Sequence, residues 1–168
     1  PRTYVVGRPI FDPDPKSTLA RMASDEFEPL RDVILDASVQ VEPKDSFQGT
    51  ATIRRYENSR VLIDARLSEP GVLVLTDAFY PGWKVFVDGH ERTIRRANYL
   101  FRAVELPAGA HEVEFIYDPL SFKIGFLISL LTAGVLIAVP LVKAIRRRRI
   151  LNGPAPALSH QAAGDRVG

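Results

Sequence analysis

Cysteine is absent from this sequence, which excludes a disulfide framework, a thiolate nucleophile and any cysteine-based zinc site. Histidine occurs three times, at His90, His111 and His160, in no HExxH or His-x-His spacing, so no metal is expected. Also missing are a paired-carboxylate motif, a Ser/His/Asp set, a glycine-rich phosphate loop and an EF-hand pattern. No catalytic centre is legible and no cofactor is implied. There is no internal repeat, and the 168 residues suit one ordinary domain with an appendage.

Acidic residues are nearly missing from one part of the chain. Residues 124–168 contain six Lys and Arg and a single Asp, whereas residues 1–123 contain 16 Lys and Arg and 19 Asp and Glu. The small net charge of +2 therefore hides an acidic body with a basic tail. A nucleic-acid binder carries its basic residues on the folded surface; nucleic acid is not expected as a partner.

What the basic tail follows is a run without any charge, IGFLISLLTAGVLIAVPLV, 19 residues from position 124 to 142. At about 1.5 Å per residue such a helix is about 28 Å long, close to the hydrocarbon thickness of a bilayer. Ser129 and Thr132 are tolerable there because a helical hydroxyl bonds a carbonyl one turn back. Gly125, Ala133 and Gly134 are small enough for another helix to approach, and Pro140 is expected in the last turn. Lys143 and the run Arg146, Arg147, Arg148 and Arg149 flank one end, and Lys123 alone the other. The positive-inside rule then places the arginines in the cytoplasm and residues 1–123 outside it, with a lipid bilayer as partner. Residues 1–30 contain no basic region followed by an apolar one, so a translocation signal is expected upstream of Pro1, in a longer membrane-inserted polypeptide.

Before the apolar run the pattern is that of a mainly β protein. Strands are expected at 3–6, 32–35, 50–56, 60–67, 72–76, 83–87, 91–96, 100–106 and 111–117. Val61, Ile63, Ala65 and Leu67 alternate with Asp64 and Arg66, and Trp83, Val85 and Val87 with Lys84 and Asp88, the period-two signature of half-buried strands. Asp88-Gly89 is a hairpin turn signal. One short helix is expected to about Ala23, capped by Ser17. Frequent turns without a long amphipathic helix indicate an antiparallel β-sandwich, jelly-roll-like, followed by a single transmembrane α-helix. The expected divisions are 1–47, a leading segment with the short helix and flanking strands; 48–118, the sandwich; 119–145, the membrane helix; and 146–168, a basic, disordered cytoplasmic tail.

The conspicuous stretch is Asp77-Ala78-Phe79-Tyr80-Pro81-Gly82-Trp83, an aromatic turn between strands. Tyr80 and Trp83 offer faces on which sugar rings stack, and Asp77 and the amide of Asn98, beside Tyr99, offer hydrogen bonds to hydroxyls. Alternatively Trp83 fills the core, as its phase with Val85 and Val87 favours, and Pro81-Gly82 only makes the turn. Arg95 and Arg96 either grip an anionic group or solvate a hairpin face.

Several short motifs occur together: Tyr80-Pro81-Gly82-Trp83-Lys84, Val87-Asp88-Gly89, Asn98, Phe101-Arg102-Ala103-Val104 and Pro119-Leu120-Ser121-Phe122. With Pro1-Arg2-Thr3-Tyr4-Val5-Val6 and Asp25-Glu26-Phe27-Glu28-Pro29, they resemble the C-terminal end of the YfhO-type bacterial membrane protein family over roughly residues 1–142. The resemblance implies a large multi-pass protein of the GT-C-like kind, which moves a sugar from a lipid-phosphate donor onto cell-envelope polymers. The catalytic carboxylates of that architecture belong to early loops outside this sequence, so no catalytic residue carries over. The implied partners are the upstream membrane domain of the same polypeptide and an envelope glycan or lipid-linked sugar. Two other readings stand beside it: a tethered structural or protein-interaction sandwich without sugar contact, and a free-standing single-pass carbohydrate-binding protein.

Overall fold

The computed structural model describes residues 1–151, with side chains to residue 145. The chain divides into a β-unit, Pro1–Leu120, and a second unit beginning at Ser121. In the β-unit the order is β1 (Thr3–Val6), β2 (Arg8–Phe11), α1 (Pro15–Met22), β3 (Asp32–Leu35), β4 (Gly49–Tyr56), β5 (Arg60–Leu67), β6 (Gly71–Ala78), β7 (Trp83–Val87), β8 (His90–Arg92), β9 (Arg95–Ala97), β10 (Phe101–Leu106) and β11 (Gly109–Tyr117). A six-stranded sheet runs β1-β6-β10-β9-β3-β2 and a five-stranded sheet β4-β5-β11-β7-β8. The mainly β expectation holds.

The core follows from strand phase. Val61, Ile63, Ala65 and Leu67 of β5, Val85 and Val87 of β7, and Val113 and Phe115 of β11 meet Leu73 and Leu75 of β6 and Val104 and Leu106 of β10, all buried. The larger sheet is covered on its other face too. There Val72 and Val74 pack with Val6, Val33, Leu35, Ala97 and Ala103 against Val41 of the segment after β3. Burial on both faces is why β6 reads Val-Leu-Val-Leu without alternating.

Four local expectations are corrected. The sheets are not wholly antiparallel, because β2 pairs with β3 in parallel, Pro9 opposite Val33, with α1 in the connection. β2 is an edge strand, where a proline lacking an N–H is tolerated. The strand expected at 91–96 is two. β8 belongs to the smaller sheet and β9 to the larger, and Ile94 between them packs on the inter-sheet core. The helix cap is Asp14, not Ser17: its carboxylate accepts from Lys16 N and Ser17 N at 3.2 and 3.4 Å, with Pro15 following it in the first turn. Finally, Pro140 is not in a last turn.

The second unit is built on α2 (Leu120–Leu151). Residues 120–145 form a stretch whose most apolar 18 residues have a mean hydropathy of 2.4, long and apolar enough to cross a membrane. Ser129 and Thr132 donate to Gly125 O and Ile128 O, both at 2.9 Å, as their type predicts. The helix continues past Pro140 through the backbone of the four arginines, so the proline is interior and one backbone bond of the helix is missing. Of the tail expected to be disordered from 146 to 168, residues 146–151 instead continue the helical backbone, a correction to the expected end of the helix at 145. Those from 152 onward, His160 among them, lie outside the described residues.

Phe47 locks the segment after β3 to the sheets. Its ring lies against Gly7, Gly49 and Gly71, where a Cβ would come within 2.4, 3.1 and 2.6 Å of Phe47 atoms. Gly71→Ala would also meet Val6 O at 2.8 Å. That crowding is expected to lower stability by about 1–3 kcal/mol, measured in detergent solution by denaturant unfolding followed through the sole tryptophan.

Candidate functional site

At one end of the sandwich the inward strand positions stop being aliphatic. Following Leu73 and Leu75, the next inward residue of β6 is Asp77. Preceding Val104 and Leu106 on β10 is Arg102, before Val85 and Val87 comes Trp83, and after Val113 and Phe115 comes Tyr117. These residues, with Tyr56 from the end of β4 and Tyr80 from the turn, line an open depression of about 550 Å³.

Arg102 is its floor. The side chain is 3% exposed, and its guanidinium lies 3.9 Å from the centre of the Trp83 ring and 5.5 Å from that of Phe115. Trp83 in turn meets Tyr117 at 5.3 Å between ring centres. Burial pulls Arg102 below the ordinary arginine range, and Asp77 opposes that shift; an arginine keeps its charge even so. Its Nη2 donates to Asp77 Oδ2 at 3.0 Å, while Nε and Nη1 are buried without a hydrogen-bond partner in a guanidinium stacked over the Trp83 ring.

Asp77 collects the remaining polar groups. Oδ2 also accepts from the Tyr56 hydroxyl at 2.9 Å, and Oδ1 accepts from Arg2 Nε and Nη2 at 3.2 and 3.1 Å. Arg2 also donates to the Tyr56 hydroxyl and sits 3.9 Å over its ring. Burial, then the bond to Asp77, raises the Tyr56 pKa. The four lone-pair directions of the Asp77 carboxylate are thus filled from within.

The expected site residues divide accordingly. Asp77, Tyr80 and Trp83 come together. Tyr80 is 62% exposed and presents an open ring, whereas Trp83 is half-buried against the inter-sheet core and has one face under Arg102. Asn98 does not join them and its expected role as a surface hydroxyl partner is corrected. Buried at 4% exposure, it accepts from Ile34 N at 2.8 Å through Oδ1, donates to Tyr4 at 3.4 Å through Nδ2, and gives its own N–H to Ile34 O at 2.8 Å. The side-chain amide stands in for a backbone carbonyl and extends the β3–β9 pairing by one residue. Asn98 has φ +47° and Tyr99 φ +70°; the latter, an aromatic residue in left-handed backbone, stores about 1–3 kcal/mol of strain and leaves its ring half-exposed. Arg95 and Arg96 do not reach the depression, and each faces an acid, Glu105 at 3.4 Å and Asp36 at 3.5 Å. Among the described residues no group of His, Asp and Glu is arranged to hold a metal. His111 instead contacts Asp88 at 2.6 Å, holding that carboxyl below its usual range, in a turn whose Asp88 and Gly89 both have positive φ.

Arg102, Tyr56 and Arg2 were missed as site residues. The signal for Arg102 was available, since in Phe101-Arg102-Ala103-Val104-Glu105-Leu106 it occupies the phase of Val104 and Leu106, where a charge demands a buried partner.

The sequence profile of the family described as "Bacterial membrane protein YfhO" matches residues 39–129, from the segment after β3 through this end of the sandwich and into α2. The chain belongs to that family. Over 77 residues it is 29% identical to the "Uncharacterized protein YfhO" of Bacillus subtilis (strain 168). That stretch is 46% of the present chain and 9% of the relative, so the chain spans a small part of the YfhO protein it matches. No solved structure matches it.

Asp77→Asn removes the charge facing Arg102 while keeping the shape. It is expected to cost about 3 kcal/mol, and adding Arg102→Met should restore much of that loss; unfolding read by Trp83 fluorescence checks both. Asn98→Ala leaves the Ile34 N–H unpaired and is expected to cost about 2 kcal/mol, while Tyr80→Ala stays within about 0.5 kcal/mol of the parent.

Proposed function

We propose that this chain is the C-terminal extracytoplasmic domain and membrane anchor of a multi-pass, GT-C-like envelope glycosyltransferase, and that the depression at Tyr80 positions the acceptor glycan. The observation that carries this reading is the exposed Tyr80 ring beside a wall of Trp83, Tyr117 and Tyr56, with the Arg2 guanidinium half-exposed at the edge. Aromatic faces suit the C–H faces of sugars, and a guanidinium donates to hydroxyl or anionic oxygens. Because Asp77 has its acceptor positions filled, Tyr80 and Arg2 rather than Asp77 make the sugar contacts. The anchor is α2, and the Lys143 and arginine cluster after the apolar run supports a cytoplasmic C-terminus with the β-unit on the outer side. On this reading the catalytic groups lie outside the stretch matched here, which is 9% of the YfhO relative's length.

A brace for the catalytic half, with no sugar contact, is the second reading, favoured by the internal saturation of Asp77 and Arg102. Tyr80→Ala in the full-length protein separates the two. The glycan reading expects acceptor binding weaker by about tenfold, equivalent to about 1.4 kcal/mol, with Tyr80→Trp retaining it, both assayed as envelope glycan modified by membranes carrying each variant. Unchanged modification by Tyr80→Ala leaves the brace.

A further inference from the structure

Two loops at the same end of the β-unit carry surface that the glycan reading does not use. Phe79 is 38% exposed, Tyr99 46% and Leu100 51%, next to Tyr80 at 62%. They are neighbours in space, because Phe79 N–H donates to Leu100 O at 2.6 Å and Phe101 stands opposite Ala78. Residues 78–82 and 97–101 together contain no charged residue. Isolated exposed apolar side chains need no explanation, but Phe79, Tyr99 and Leu100 grouped beside Tyr80 do.

The place of these loops suggests what covers them. Gly82 O accepts from Asp118 N at 2.7 Å, and a Cβ on Gly82 would lie 3.0 Å from the Tyr117 ring and 3.2 Å from the Pro119 backbone. Residue 120, two positions after Asp118, opens the apolar helix. The aromatic loop is therefore tied by a backbone hydrogen bond to the residues from which the span departs. The carboxylates beside the loops are matched by cations, Asp77 by Arg2 and Arg102, and Asp118 by Lys84 at 3.7 Å. Approach to a low-dielectric surface then strands no lone negative charge there. Tyrosine, with an apolar ring and a polar tip, is enriched at the headgroup level. Tyr99 adds an independent sign, since left-handed backbone at an aromatic residue persists only where the surroundings hold it, and here it turns the ring outward.

We propose that loops 79–82 and 98–100 seat the β-unit on the phospholipid bilayer, with Phe79, Tyr99 and Leu100 in the interfacial layer, as a second membrane contact besides α2. This contact stands whether or not a glycan binds the neighbouring depression.

The cysteine-free sequence makes the test direct. Phe79→Cys and Leu100→Cys carry a nitroxide in the full chain reconstituted into phosphatidylethanolamine–phosphatidylglycerol vesicles. Ala108→Cys, in the turn between β10 and β11 and about 20 Å away along the strands, is the aqueous reference. Collision with oxygen relative to a water-soluble nickel chelate is expected to be at least about threefold higher at 79 and 100 than at 108, as for side chains lying in the interface. Unaltered Trp83 emission verifies that each labelled variant is folded. Ratios at 79 and 100 equal to that at 108 overturn the proposal. Shielding of both labels from both reagents, the mark of protein cover, overturns it as well. None of these outcomes bears on acceptor binding, which Tyr80→Ala tests separately.

Discussion

A carboxylate and a guanidinium facing one another between two sheets hold the working end of this molecule together. Neither Asp77 nor Arg102 would be tolerated alone on an inward strand phase, since an unpaired charge there costs several kcal/mol. Together they bridge β6 and β10 within the larger sheet, and Arg102 reaches the smaller one by lying over Trp83 of β7. The pair converts the end of an aliphatic core into a polar and aromatic layer, against which Tyr56, Tyr117 and Arg2 arrange themselves. Tyr80, free of this network, is left to face outward.

The larger sheet serves as the central layer. It is buried on one side by the smaller sheet and on the other by the segment after β3, which explains why β3 and β6 are almost wholly apolar and β4, on an edge, is not. The passage from β8 to β9 stitches the two sheets into one body through Ile94. Asn98 finishes the job at the other end of β9, using a side-chain amide where the backbone turns away from the strand direction.

Strands with one wet face were fully legible. β5 and β7 alternate because each residue is either in the core or in water, and their bounds of 60–67 and 83–87 follow from composition alone. β2 was not legible, because a four-residue edge strand containing proline and half-exposed throughout leaves no periodic trace. The break inside 91–96 was hidden because a change of sheet, unlike a turn, requires neither glycine nor proline. Of the site, the aromatic turn announced itself, but burial of Asn98 and the pairing of Asp77 depend on strands far apart in sequence. The resemblance to the YfhO family, by contrast, rests on short motifs that also mark the structure's special positions, Gly82, Asp88-Gly89 and Asn98 among them, where positive φ restricts the choice of residue.

The seat of Phe47 has an evolutionary corollary. One phenyl ring presses on three glycines that belong to different strands or connections and lie up to 64 positions apart in sequence. None of the three can gain a methyl group without the ring giving way, and for Gly7 the ring is the sole near obstacle. A smaller side chain at 47 would release Gly7, whose near contacts are all with that residue, while Gly71 would still meet Val6 O at 2.8 Å and Gly49 the Val5 side chain at 2.5 Å. The socket therefore couples the choice of residue at 7 to that at 47, whereas 49 and 71 stay glycine for a second reason of their own, the close approach of neighbouring strands.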